Sequence, residues 1–267
     1  EAWQRGLSSI DGVACLNRLS LERENLLNAQ EQFMQVEPVN AVRIILLMHP
    51  FFLIRSPSNF YASLMDKAVS VSANAMPELH AQALKARGEM LWNWGKNEDS
   101  EKDLLASREA FRALGDIKGE AQAVLFLGNA VHKLQRKRSL DYWREAEAIA
   151  STAKDESTKA QAMAQIGRLT KDVSMMEKAI TYFEFVQDRY SEENWRMALG
   201  TLHLEEGRFN EAKECYAQAL LMARRIHDTR LEGVISSVVS IDQDDAVSSS
   251  DRLPAAFIER NEVFRGV

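Results

Sequence analysis

Four glycines lie inside otherwise helical stretches of this 267-residue chain: Gly88, Gly128, Gly167 and Gly200, separated by 40, 39 and 33 residues. A glycine in mid-helix costs about 1 kcal/mol relative to alanine, so a recurring one needs a packing reason. The reason expected here is close approach of a neighbouring helix. Part of the approach to these glycines recurs as well. Asp116 precedes Gly128 by 12 residues and Asp155 precedes Gly167 by the same 12, each Asp reading as the close of a helix; from Asp228 the same offset reaches Ser240, a degenerate last copy. Self-similarity on this length scale is the mark of stacked helical units, each too small to bury its apolar face alone.

Composition agrees with helices throughout. Only 12 Gly and 5 Pro occur in the chain, far too few for an all-β protein, which needs turn residues every ~8–12 positions. Hydrophobic residues make up 46% and charged residues 27%, which excludes a wholly disordered chain. The length exceeds the usual size of a single core, so two domains or a repeat array are expected.

The fullest copy runs from Leu199-Gly200 to His203, then Gly207-Arg208-Phe209, Ala212, Tyr216 and Ala219; a second runs from Ile166-Gly167 to Ala179, Phe183 and Val186. These residues resemble the tetratricopeptide repeat, a helix–turn–helix unit. The resemblance is specific over 192–226, good over 156–190 and weaker over 118–154 and 78–115. It implies that Gly200 and Ala212 let paired helices touch, that Tyr216 and Phe183 fill the wedge beside them, that Gly207 lies at the turn, and that Phe209 is a packing aromatic. The periodicity predicts paired helices at about 78–95 and 99–115, 118–135 and 138–153, 156–171 and 173–190, and 192–205 and 209–226. A last helix is expected at 229–241, an acidic serine-rich loop at 242–251, and a capping helix or tail at 253–264.

Upstream, an apolar stripe of Leu16, Leu19, Leu26 and Phe33 predicts a helix between Asp11 and Gln35. Val42 to Ile54 reads as a buried helix ended or kinked by Pro50, and Ser56-Pro57-Ser58 as the start of a third helix reaching about Ala73. Within the first of these, Arg18 to Ala29 looks like the L-x-x-E-x-x-N-L-x-x-A helix of bacterial STAND regulators, multidomain signal-transduction ATPases. Ile45 to Pro57 and Asp66-Lys67-Ala68 are similar to the same proteins. The resemblance implies the helical sensor region of a larger regulator. The chain begins at Glu1 without an initiator Met, and a processed or excised piece of something longer is expected.

Little in the residues points to catalysis. There is no G-x-x-x-x-G-K-[ST], no G-x-G-x-x-G, no G-x-S-x-G and no H-E-x-x-H. The five histidines, His49, His80, His132, His203 and His227, never pair at i,i+4, and His203 reads as a packing residue. Cys15 and Cys215, 200 positions apart, form neither a metal spacing nor a disulfide framework, and read as small buried thiols in a reducing compartment. The net charge of −6 argues against nucleic acid as the main partner. The run Arg136-Lys137-Arg138 reads as the end of a helix, where cations suit the carbonyl end. The longest apolar run, Ile44 to Ile54, is 11 residues, and a membrane helix needs about 20. A cytoplasmic, non-enzymatic protein without cofactor or metal is expected.

A stack of helix pairs offers a concave surface lined by the first helix of each pair. Positions three before, one after, and four or five after each glycine are expected to face it. Among them Lys85, Trp92, Asn129, Lys133, Arg168 and Lys171 are candidates to hold a peptide carboxylate or backbone, as concave Lys, Arg and Asn do in carboxylate-binding tetratricopeptide members. The competing reading is a solvated face whose cations pair with Glu89 and Asp172. The expected architecture is therefore all-α: a right-handed α-solenoid of antiparallel helix pairs over 78–241, an irregular helical cap over 1–77, and an acidic loop and tail over 242–267. The expected function is non-catalytic: a sensor and interaction module binding a protein, a peptide or a small ligand, with self-association open. A free-standing adaptor or peptide-binding receptor is the alternative.

Overall fold

The computed structural model describes residues 12–55, 59–73 and 76–226; the segments expected at 229–241, 242–251 and 253–264 lie outside them. The described residues are all-α, with eleven helices: α1 (Gly12–Val36), α2 (Pro38–Arg55), α3 (Asn59–Ser72), α4 (Pro77–Asn93), α5 (Asn97–Leu114), α6 (Ile117–Val131), α7 (Arg136–Ala153), α8 (Glu156–Thr170), α9 (Val173–Phe185), α10 (Arg189–Glu205) and α11 (Phe209–Ile226). They divide into two compact units, the first holding residues 14–162 and the second beginning at Met163.

Local chemistry sets the helix ends. Asp116, Asp172 and Asp188 each accept a hydrogen bond from the backbone N–H three residues on, at 2.8, 3.0 and 3.1 Å. Asp155 faces Thr158 in the same way and also accepts from the Thr158 hydroxyl at 2.7 Å. The recurring Asp therefore opens the next helix instead of closing the last one, because a carboxylate satisfies N–H groups that the first turn leaves unbonded. Three of the four turns between paired helices use a left-handed residue: Gly95 at φ 73°, Gly207 at φ 73° and, less usually, Lys171 at φ 60°.

Two expectations about helix ends fail for local reasons, a stop at Pro50 and a helix end at Arg136-Lys137-Arg138. Pro50 neither stops nor divides α2, which continues to Arg55. The apolar flanks Ile45, Met48, Phe51 and Phe52 are all buried, and this burial outweighs the backbone hydrogen bond that proline removes. The run Arg136-Lys137-Arg138 begins α7 instead of ending a helix. Its unfavourable position against the dipole is offset at Arg138, which pairs with Glu101 at 2.6 Å and lies over the Tyr142 ring.

In the first unit, α2 and α3 pack on α4, and one apolar cluster runs from Val42 and Ile45 through Tyr61 and Met65 to Ala83 and Met90. The core thus passes unbroken across residue 77. The glycines act by close approach, as expected. A Cβ on Gly128 meets Trp143 Cδ1 at 2.4 Å, and one on Gly88 meets Leu104 Cγ at 2.6 Å. Trp143 is fully buried in consequence. In the second unit, Met176, Ile180, Leu199 and Leu202 form the core between α9 and α10, and α11 packs on α10 with Ala212, Tyr216 and Ala219 buried.

Candidate functional site

The six candidate side chains fall in different environments. Lys85 on α4 is half-buried and donates from Nζ to Gln122 Oε1 on α6 at 2.5 Å; burial pulls its pKa below the usual lysine range. Trp92 is a core residue, 6% exposed, packed with Leu104, Leu127 and Ala130, so it is no groove platform. Asn129 is also buried, and its Oδ1 accepts from Trp143 Nε1 at 3.0 Å. Lys133 is exposed. In the second unit, Arg168 is half-buried and donates to Gln165 at 2.9 Å, while Lys171 is exposed and lies 3.9 Å from Glu205. The positions three before the glycines depart from expectation most clearly: Leu125, Ala164 and Met197 are core residues. That side of the first helix is covered by its neighbours.

A polar network that the sequence did not reveal lies in the first unit. His49 Nδ1 and the Tyr61 hydroxyl share a hydrogen bond, and His49 Nε2 lies 3.0 Å from Glu89 Oε2. Tyr61 is fully buried and burial raises its pKa, so the phenol stays protonated. The three residues come from α2, α3 and α4 and tie those helices together. Glu89 thereby pairs inward with His49, 40 residues away in sequence.

The second unit carries an open cleft of about 610 Å³ between α9 and α11, floored by α10. On α9 the cleft residues Val173, Glu177, Ile180 and Glu184 recur at the spacing of one helix stripe. On α11, Glu211, Glu214, Cys215 and Gln218 do the same, and α10 supplies Arg196, Leu199 and His203. None of the six candidates lines this cleft. The first-helix face that directed the sequence reading is a different surface, since two of the three walls here are second helices of their pairs. A stripe mixing aliphatic and acidic residues at helical spacing was the available signal.

Arg196 is engaged at all three guanidinium nitrogens, and Arg208 at one, its Nε being buried without a partner. Arg196 donates to Glu192 Oε1 at 3.1 Å, to Gln218 Oε1 at 2.7 Å and to Glu184 Oε2 at 3.3 Å. Glu192 is fully buried and also accepts from Arg189 at 2.7 Å. Arg208 pairs with Glu206. Glu177 and Glu211 remain as exposed carboxylates near His203, close enough for their charges to act on its imidazole. His203 is only 6% exposed, and its Nδ1 is buried without a hydrogen-bond partner. Burial first, and Arg208 second, lower its pKa, so the ring is neutral at neutral pH. Burial raises the Cys215 pKa and keeps the group a thiol. Among the described residues no three His, Cys, Asp or Glu side chains are grouped to hold a metal ion, and no helix is long and apolar enough to cross a membrane.

Comparison with known proteins follows the same lines. Residues 196–225, which cover most of α10 and α11, match the tetratricopeptide repeat family model. No curated protein matches the chain. Among solved structures, the apo form of RapI is similar with a TM-score of 0.65 and 17% identity, over 81% of this chain and 77% of that one. BtubC (BKLC) from P. vanneervenii is similar with a TM-score of 0.59 and 15% identity, over 89% of this chain and 97% of that one. At these identities the likeness is one of fold. Residues 196–225 thus carry a tetratricopeptide repeat, and the all-α helix pairs of the chain share the fold of these two solved structures.

Proposed function

We propose that this chain is a non-catalytic interaction module that binds a protein or peptide segment, and that it serves as the sensor region of a larger bacterial regulator of the STAND type. The observation that carries the binding reading is the open cleft, two of whose walls belong to the matched repeat. Its lining joins aliphatic side chains to unpaired carboxylates, a surface suited to a peptide. The regulator reading draws on the motif of Leu19, Glu22, Asn25, Leu26 and Ala29. In α1 of this chain Leu19 and Leu26 pack against the apolar cluster while Glu22 accepts from Asn25 at 2.9 Å on the exposed side. In such a regulator, the partner acts by binding one arrangement of the domains better than the other.

The test is calorimetry on the purified chain, with peptides selected from a random displayed library and with ATP–Mg²⁺. Stoichiometric binding of a selected peptide and no nucleotide binding is the expected result. Among the described residues the glycines are isolated within helices or single turns and offer no phosphate cradle. Stoichiometric ATP–Mg²⁺ binding overturns the non-catalytic reading, and failure to select any peptide overturns the binding reading.

A further inference from the structure

We propose that the cleft between α9 and α11 receives a lysine or arginine side chain of the partner peptide. Its aliphatic stem would lie along Val173, Ile180 and Leu199, and its charged head would reach Glu177, Glu211 and His203 Nδ1. This deepens the binding reading and rests on it.

Three independent observations converge on that chemistry. The first is charge: Arg196 is ion-paired with Glu192 and Glu184 and Arg208 with Glu206, while Glu177 and Glu211 line the cleft without an ion-pair partner among the described residues. A cation brought into a partly enclosed site gains more from such carboxylates than it would in bulk water. The second is the buried, unpartnered Nδ1 of His203 in the cleft floor. A buried polar nitrogen without a partner carries a desolvation cost that a ligand's N–H donor relieves. In the neutral tautomer with its proton on Nε2, Nδ1 accepts from a guanidinium or ammonium donor. The third is shape: aliphatic and acidic groups share one stripe of α9, and long basic side chains bury their stems on apolar surface while keeping their heads among polar groups. Among the described residues no group of three His, Cys, Asp or Glu side chains offers a competing metal site.

The experiment uses the full chain and peptides selected on it from a random library. The expected consensus holds Lys or Arg beside aliphatic residues. Glu177→Gln with Glu211→Gln is expected to weaken the selected peptide about tenfold or more. The control Glu98→Gln with Glu109→Gln, at exposed carboxylates of the first unit, removes the same charge and is expected to leave affinity within about twofold. Circular dichroism melts check that both variants fold. A second arm needs no variant: replacing the peptide's arginine by citrulline, or its lysine by acetyl-lysine, should weaken binding to the parent chain by a similar factor. Peptides that bind equally well to Glu177→Gln/Glu211→Gln, or that tolerate loss of the cation, overturn this assignment and leave the binding reading standing. A library that yields no peptide overturns both.

Discussion

The α6–α7 hairpin of the first unit and the α10–α11 hairpin of the second are built on one template and close to different degrees. Each starts from a capping Asp, Asp116 or Asp188, and each reaches its glycine 12 residues later. Each sets an aromatic ring from the second helix against that glycine. In each the residue after the glycine bonds the aromatic's polar atom: Asn129 to Trp143 Nε1 at 3.0 Å, and Thr201 to the Tyr216 hydroxyl at 3.1 Å. The fit differs. A Cβ at Gly128 falls 2.4 Å from the Trp143 ring, while one at Gly200 falls 3.0 Å from Tyr216. The first hairpin is sealed around its ring. The second is looser, and it borders the cleft. The helix before it, α9, has 13 residues, against 18 in the second helices α5 and α7. One repeat template thus serves stability in one place and leaves a recess for a ligand in another.

The largest effect is expected from Trp143→Ala. Loss of a fully buried indole leaves a cavity, and Asn129 loses a hydrogen-bond donor, so urea denaturation should show a cost of about 3–5 kcal/mol. A cost below about 1 kcal/mol would remove the first hairpin's claim to be sealed. The glycines then test the comparison directly. Gly128→Ala pushes a methyl into an indole held on all sides and should cost about 1–3 kcal/mol by overpacking. At Gly200→Ala the gain in helix propensity, about 1 kcal/mol, offsets a contact that needs only a few tenths of an ångström of relief. That variant should stay within about 1 kcal/mol of the parent, and equal losses at the two glycines would erase the distinction.

Smaller still are the effects of pH. His203 has a lowered pKa in the folded chain, so its unfolded state binds the proton first on acidification. The stability it contributes is present above about pH 6.5 and lost as pH falls below it. Tyr216 is pushed up to about 12 by burial, so its contribution holds below about pH 10 and fades as pH rises from there towards 12. His203→Phe should flatten the acid limb of a melting-temperature profile, and Tyr216→Phe the alkaline limb. The smallest stability effect is expected at Lys133→Glu: the side chain is exposed, and the change should stay within about 0.5 kcal/mol in a thermal melt. If that variant together with Arg168→Glu lowers affinity for a selected peptide while folding is retained, the first-helix faces join the cleft as binding surface.

Much of the fold could be read directly. The glycine spacing and the apolar periodicity located the helix pairs, and α8 and α11 fall within a residue of the expected ends. Larger misses sit where the chain makes its own exceptions: α9 stops at Phe185, five residues before the expected end, because Gln187 turns into the left-handed region and Asp188 caps the next helix. Phe209, read as a packing aromatic, is 62% exposed. The candidate groove was less legible. Trp92 and Asn129 look on paper like surface residues of a first helix, and only their neighbours, Leu127 and Trp143, show them to be core.

The sequence by itself determined what depends on neighbours along the chain: helices rather than strands, the aspartates whose carboxylates cap first turns, and the turns at Gly95 and Gly207. These are local effects of hydrogen bonding, backbone freedom and periodic burial, and they act over a few residues. The tertiary structure decided what depends on residues brought together from afar. It turned Glu89 inward to His49, spent Arg196 on Glu192, Glu184 and Gln218, and left Glu177, Glu211 and His203 facing an open recess. Whether a charge is paired or free follows from its distance to other charges, and that distance exists only once the helices have packed.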